Sequence, residues 1–330
     1  MFNSSHQHLQ KDAVVATNET TLLKLAAVDS TEEHLEREIE QLMVEGSFQN
    51  QGRKRTFLSS GKYEMHDVRA RSFKDIPVNT NSPEFSRLWS MFQNNLQGWW
   101  RTKRYFQPDI MSDLINLVRV QIDKNTSSHE AVIRLKNAKI GGFERHVGSK
   151  TTLSFINSSV LHICGRRAGC FYHPYGVKVP IVTYIVQPIH LFDYTLCNSN
   201  SSQKAPLVVT EPRFDSLCSR IVKYYSMKRF TEEAKKPLEE WGSAHEGLSF
   251  HYSTGMQAVM LALGICEEVS IFGFGKSDSA SHHYHTNQTA ELKCHDYEAE
   301  YDLYRDLVSR RRVIPFISKK FKFPSVVIYH

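Results

Sequence analysis

Residues 251–275, HYSTGMQAVMLALGICEEVSIFGFG, leave this chain little choice about where its core lies. At helical spacing Met256, Val259, Met260 and Leu263 form one face, and Ala258, Leu261, Ala262 and Ile265 make the other sides nearly as apolar. A helix apolar all round is a core helix, and VSIFGFG after it reads as a strand. The helix opens on Ser253, Thr254 and Gly255. Either hydroxyl can cap such a start, and the glycine leaves room for another group to approach the backbone. Free N–H groups and the positive dipole end make this mouth a natural anion site, worth about 0.3–2 kcal/mol for a bound charge. Ser and Thr also cap many helices that bind nothing, so spacing alone leaves both readings open.

Around this helix the texture is mixed. From residue 130 onward AVIRL, TTLSFIN, VPIVTYIV and APLVVT read as strands, several too continuously apolar to be exposed on one side, and RFDSLCSRIVKYYS reads as a helix. The alternation predicts an α/β fold, a mostly parallel sheet flanked by helices. Lone histidines in the apolar runs, His162 and His190, read as satisfied buried residues rather than ligands. A helix is expected from Pro83, burying Phe85, Leu88, Trp89 and Phe92, and another from Pro108 to about Val120. Upstream, STEEHLEREIEQLMVEG is a helix with Leu35, Ile39 and Leu42 on one face and Gly46 as its stop. The chain thus divides into a polar stem with one helix, residues 1–80, and a folded domain, residues 81–330.

Composition narrows the partners. With 41% hydrophobic and 23% charged residues, the 330-residue chain can bury a sizeable core. A net charge of +6 fits anionic partners, but no block of Lys or Arg forms a nucleic-acid arm. No apolar run reaches the roughly 18 residues of a membrane span, and LLKLAAV is short and broken by Lys24. N-x-S/T sequons begin at Asn3, Asn18, Asn125, Asn157, Asn200 and Asn287, and the six cysteines are scattered. Both features fit the secretory pathway, and the cysteines suit a few disulfides of unfixed connectivity. None stands in a CxxC pair, which argues against structural zinc.

SHHYHTNQTAELKCHDYEAEY, residues 281–301, gathers four histidines and a run of carboxylates. Imidazoles so dense can hold a metal, move protons or grip a phosphate. On a strand His282 and His283 point to opposite faces, whereas His283 and His285 share one, with His295 as a third ligand. Without an HExxH-type helix, a metal centre is not the preferred reading.

Four stretches, in order, resemble the sialylmotifs of the eukaryotic sialyltransferases, glycosyltransferase family 29. HEAVIRLKNAKIGGFERHVGSKTT (129–152) resembles the C-terminal half of the large motif, and STGMQAVMLALGICEEVSIFGFG the small one. HYHT (283–286) resembles the third motif and HDYEAE (295–300) the very small one. The overall pattern is most similar to the plant sialyltransferase-like branch. The resemblance implies a Rossmann-like variant GT-A fold over 81–330 and a Golgi type II membrane protein. It implies transfer of an acidic sugar, sialic acid-like or a Kdo-like ulosonic acid, from a CMP-sugar donor to a glycan or pectic acceptor. That transfer inverts the anomeric centre and needs no metal or other cofactor.

By motif position Ser253, Thr254, Gly255, Tyr284 and Asn137 would bind the donor, His283 would meet its phosphate and His295 would be the general base. Glu300 completes the last motif, but on a helix it lies off the face of His295, and Glu298 at i+3 is better placed to orient that imidazole. The chain also departs from the family. VRVQIDKNTSS stands where the family has a Cys, an apolar strand and a glycine turn, so the donor site is incomplete and Cys266 lacks its expected disulfide partner. Lys136 stands where the family has an Asn, with Asn137 one place later. Two alternatives follow: an inactive partner of another Golgi glycosyltransferase, or a transferase with a different nucleotide sugar, such as a galactosyl donor.

Overall fold

The computed structural model describes residues 18–44, 82–113, 131–136, 138–165, 175–199, 205–245, 250–274, 284–285, 294–309 and 313–329. Before the first strand come α1 (Glu19–Ala27), α2 (Glu32–Val44) and α3 (Pro83–Lys103). α3 is the helix expected from Pro83. Ser82 caps it by accepting the Phe85 N–H at 3.1 Å, and Pro83 occupies the first turn, where a missing N–H costs nothing. Phe85, Leu88, Trp89, Phe92, Leu96 and Trp99 line its buried side. The helix expected from Pro108 is seen only at residues 110–113, the rest of it lying outside the described residues, as does Gly46.

α1 and α2, within the residues expected to form the stem, carry buried side chains. Leu22 and Ala26 of α1 lie in the main core, and Ile39 and Leu42 of α2 join the cluster built on α3. LLKLAAV is therefore a packing helix, because its two most buried residues sit four apart on one face. Asn18 caps it, accepting the Thr20 N–H at 2.9 Å. Asn18→Ala is expected to lower stability by about 1 kcal/mol, read as a lower urea midpoint with an unchanged m-value. An unmoved midpoint would mean that α1 frays before the core unfolds.

The apolar runs become strands as expected. β1 (Ile133–Leu135), β2 (Leu153–Asn157), β3 (Ile181–Tyr184) and β4 (Leu207–Val209) lie side by side in chain order, every pair parallel. α4 (Ser158–Gly165) and α5 (His190–Ser199) make the crossovers from β2 to β3 and from β3 to β4. The pleat of β2 sends Leu153 and Phe155 to one face and Ile156 to the other. The first face joins Val182 and Tyr184 in the main core with α6 (Pro212–Glu232) and α7 (Thr254–Ile265). On the second, Ile156, Ile181 and Leu207 pack with Leu161 of α4 and Cys197 of α5. Covering both faces is what continuously apolar strands require. His190 is buried with its Nδ1 2.8 Å from the Ser158 hydroxyl, a satisfied core histidine.

α7 is buried along its whole length apart from Ile265, as its all-round apolar surface demands. β5 (Glu268–Phe272) follows it and pairs in parallel with β6 (Ser325–Tyr329) in a separate two-stranded sheet, with α8 (Tyr297–Val308) between them in the chain. The expected disulfides are not formed among the described residues. Cys197, Cys218 and Cys294 are buried thiols and Cys266 a half-buried one; Cys170 and the side chain of Cys164 lie outside the description. Cys197 and Cys218 sit in different clusters, where each fills space as a small apolar residue.

Candidate active site

The C-terminal ends of parallel strands leave a crevice, the usual place for ligands in an open α/β sheet. Here β2 and β3 end on Asn157 and Tyr184, paired in register on the face toward α7. The Thr254 hydroxyl at the start of α7 lies 3.4 Å from Asn157 Nδ2 and 3.2 Å from the Tyr184 hydroxyl. Asn157, one of the sequon positions, has its amide nitrogen donating to Thr254 and its oxygen accepting the Val160 N–H. Just past β4, the Thr210 hydroxyl and Gln257 Nε2 both donate to Asp215 Oδ1, at 2.8 and 2.5 Å. Burial pushes the Asp215 carboxyl up to about 7. This buried cluster joins β4, α6 and α7.

The mouth of α7 is held by a residue far along the chain. Glu300 receives the Ser253 N–H on one oxygen and the Ser253 hydroxyl on the other, both at 2.6 Å. Ser253 in turn caps the helix, its hydroxyl accepting the Met256 N–H at 3.1 Å. Burial pushes the Glu300 carboxyl up to about 8, against the two Ser253 donors that pull it down. At Gly255 the group that approaches the backbone is an aromatic ring. A Cβ there would stand 2.6 Å from the Phe274 ring, so it is that ring which needs the space. The N–H groups of Thr254 and Gly255 have no acceptor among the described residues. They are the free donors of the helix end.

Two histidines stand beside this mouth. His295 Nδ1 lies 2.6 Å from the His251 carbonyl, and His251 Nδ1 lies 2.6 Å from the Tyr252 carbonyl. A carbonyl accepts only, so each Nδ1 carries the proton and each Nε2 keeps its lone pair, the tautomer a general base needs. The rings meet edge to face at 5.2 Å, and the His251 N–H bonds the Cys294 carbonyl at 3.0 Å, stitching the two segments together. Burial pushes His251 down to about 4, with the Lys103 and Lys136 charges adding to the effect, so it stays neutral at pH 7. His295 is half-buried and begins the turn into α8. Next to it Asp296 caps α8 and accepts from Ser226 at 2.6 Å, with His245 Nε2 at 3.3 Å. Burial alone would raise the Asp296 carboxyl, but its hydrogen bonds from His245, Ser226 and the Ala299 N–H together hold it below the usual range.

The remaining expected residues fall elsewhere. Glu300 turns out to hold Ser253, and the acceptor seen on His295 Nδ1 is the His251 carbonyl; Glu298 is half-buried in the first turn of α8. Tyr284 is 45% exposed, donates to the Lys139 carbonyl at 2.6 Å and packs edge-on against Phe143. It thus ties its segment to the loop after β1. His283, Asn137, Asn3, Asn125, Asn200, Asn287 and the segment VRVQIDKNTSS lie outside the described residues. Asn157, Tyr184 and His251 were missed as site residues. Only the position of the first two at the ends of apolar strands offered a signal.

A neutral histidine pair, a capped helix mouth and two free backbone N–H groups thus meet at the carboxyl ends of the strands. The sequence model of glycosyltransferase family 29 (sialyltransferase) matches residues 77–312. The chain belongs to this family. It is 49% identical to beta-1,6-galactosyltransferase GALT29A of Arabidopsis thaliana over 94% of this chain and 86% of that one. It is 41% identical to sialyltransferase-like protein 1 of Oryza sativa subsp. japonica over 94% of this chain and 87% of that one. A crystal structure of a mammalian sialyltransferase in complex with Gal-beta-1-3GalNAc-ortho-nitrophenol matches 72% of this chain and 85% of that one at 19% identity, with a TM-score of 0.38. Family 29 membership makes the partners a nucleotide-sugar donor and a glycan acceptor. Family members are generally Golgi enzymes, and among the described residues no helix is long and apolar enough to cross a membrane.

Proposed function

We propose that this chain transfers galactose from a nucleotide-linked donor to a glycan hydroxyl with inversion, His295 acting as general base. The observation that carries the reading is the bond from His295 Nδ1 to the His251 carbonyl, which puts the ring proton on Nδ1 and the lone pair on Nε2. The acceptor oxygen attacks the anomeric carbon while its proton passes to Nε2. The bond from that carbon to the phosphate oxygen breaks, and the nucleotide leaves as an anion. One displacement with one base inverts the centre, so an α-linked donor gives a β-linked product. That outcome agrees with the name of the Arabidopsis relative, a beta-1,6-galactosyltransferase that is 49% identical to this chain over most of both lengths.

The N–H groups of Thr254 and Gly255 meet the donor phosphate, with Ser253 holding the helix end and Tyr284, Asn137 and His283 completing the donor side. Glu298 supports the base from α8, and Glu300 supports the helix mouth through Ser253. The same proposal includes the variant GT-A arrangement, a position in the Golgi lumen behind a type II anchor, and association with other Golgi glycosyltransferases. The motif resemblance of residues 251–275 and 295–300 supports a second reading, a CMP-linked acidic sugar. Incubating the purified chain with UDP-galactose or with CMP-linked sialic acid or Kdo and a galactan acceptor separates the two. Galactosidase-sensitive product from UDP-galactose is expected. Product only from a CMP donor would replace the first reading by the second, and no product from any donor by a demonstrably folded chain would favour an inactive partner.

A further inference from the structure

Two buried residues beside the mouth of α7 leave acceptor oxygens unused. Asp215 lies in the first turn of α6 and Gln257 one turn into α7. Gln257 Nε2 donates to Asp215 Oδ1 at 2.5 Å, where the Thr210 hydroxyl also donates at 2.8 Å. Among the described residues no donor reaches Asp215 Oδ2 or Gln257 Oε1. Buried oxygens left bare are rare and costly, and here two of them belong to residues already bonded to each other.

One proton removes both defects. A carboxylic acid has an O–H donor and a carbonyl acceptor, and a primary amide has the matching pair. An ionised Asp215 has acceptors only and leaves both oxygens bare. Turning the Gln257 amide over would set two oxygens against each other at the same contact, which again calls for a proton between them. The surroundings agree. Burial pushes the Asp215 carboxyl up to about 7, with Lys103 at the end of α3 pulling it down and Glu211 before α6 pushing it up. Burial also raises Tyr184, Tyr252 and Cys218 around it, so these stay neutral.

We propose that Asp215 is a neutral carboxylic acid paired with the Gln257 amide, and that this pair positions the donor-binding mouth of α7. The second half rests on the reading of that mouth as a donor site. Thr254 fastens the start of α7 to the ends of β2 and β3 through Asn157 and Tyr184, and Gln257 fastens it beside the end of β4. The free N–H groups of Thr254 and Gly255 are thereby held over the strand ends from two sides. A neutral acid here also keeps negative charge away from donors that face a phosphate. Ionisation would break one bond of the pair and place a like charge beside the mouth.

Asp215→Asn carries the same donor and acceptor as the protonated acid, which makes it the test. The folded carboxyl titrates at about 7, above its ordinary 3.8, so the stability it contributes is full below 3.8 and declines as pH rises to about 7. The amide has no such decline, and the variant is expected to melt with the wild type at about pH 4 and above it at about pH 8. The infrared difference between the two proteins should show the C=O band of a protonated acid at about pH 5 and lose it at about pH 9. The ratio of wild-type to variant affinity for UDP and for CMP, by calorimetry on the full chain, should fall about threefold or more from about pH 6 to about pH 9. A variant that melts well below the wild type at both pH values, or the absence of the acid band, overturns the neutral pair. A constant affinity ratio, with melting and infrared as expected, overturns the positioning role alone. A folded wild type that binds neither nucleotide overturns the donor-site reading and the positioning role with it, while the pair stands on the melting and infrared results.

Discussion

Replacing His295 by asparagine is expected to lower kcat by about 10²–10⁴-fold while leaving the melting temperature and nucleotide affinity close to wild type. The substitution is chosen from the geometry. Nδ1 of His295 bonds the His251 carbonyl at 2.6 Å, and an asparagine amide can make the same donation from nearly the same place. What disappears is Nε2, the lone pair that takes the acceptor proton. A sugar hydroxyl is a weak nucleophile, so loss of a positioned base falls on kcat and not on donor binding. The neighbouring His251 cannot substitute, because burial pushes it down to about 4 and leaves it too weak a base. The acid limb of the wild-type pH–rate profile should vanish with the base. A variant whose kcat lies within about threefold of wild type would remove His295 from the reaction.

Much of this was readable from the chain, and the misses share a cause. β1 to β4 and α7 were legible because their apolar runs are local and continuous, and a run buried on both faces says so by itself. The helix from Pro83 was legible through its cap and its periodic aromatics. Residues whose roles depend on partners distant in sequence were not. Glu300 was weighed against His295, five residues away, when its partner is Ser253, 47 residues away. Gly255 was read as leaving room for another group, but only the fold shows that Phe274, just past β5, is a group that takes it. Asn157 fits a sequon as well as any other Asn-Ser-Ser, and only the sheet shows its amide turned to Thr254. The packing of α1 depends on a distant partner in the same way. Leu22 and Ala26 are too few to mark a core helix, until α6 is there to receive them. β6 was not foreseen because its partner β5 lies more than fifty residues before it.

The contact between Glu300 and Ser253 leads to the second large effect. Glu300→Ala is expected to cost about 3 kcal/mol of stability, since it removes two short hydrogen bonds and leaves the buried Ser253 N–H without an acceptor. The loss should appear as a lower urea midpoint, together with weaker nucleotide binding, because Ser253 is the cap that fixes the mouth of α7. Glu300→Gln should cost far less, about 1 kcal/mol. Its carbonyl still accepts the Ser253 N–H, and its amide can donate to the serine hydroxyl. The two variants also fix the sign of a pH effect. Burial raises the Glu300 carboxyl from 4.5 to about 8 in the folded chain, so between those values the folded state holds a proton that the unfolded chain has released. Stability contributed by this group is therefore full below pH 4.5 and declines as pH rises toward 8. Glu300→Gln, which cannot ionise, should show a flatter decline over that window than wild type. Equal urea midpoints for Glu300→Ala and wild type would mean that the helix mouth holds without its distant acceptor. A wild-type decline matched by the glutamine variant would mean that another group, with Asp215 the nearest candidate at about 7, sets the pH dependence.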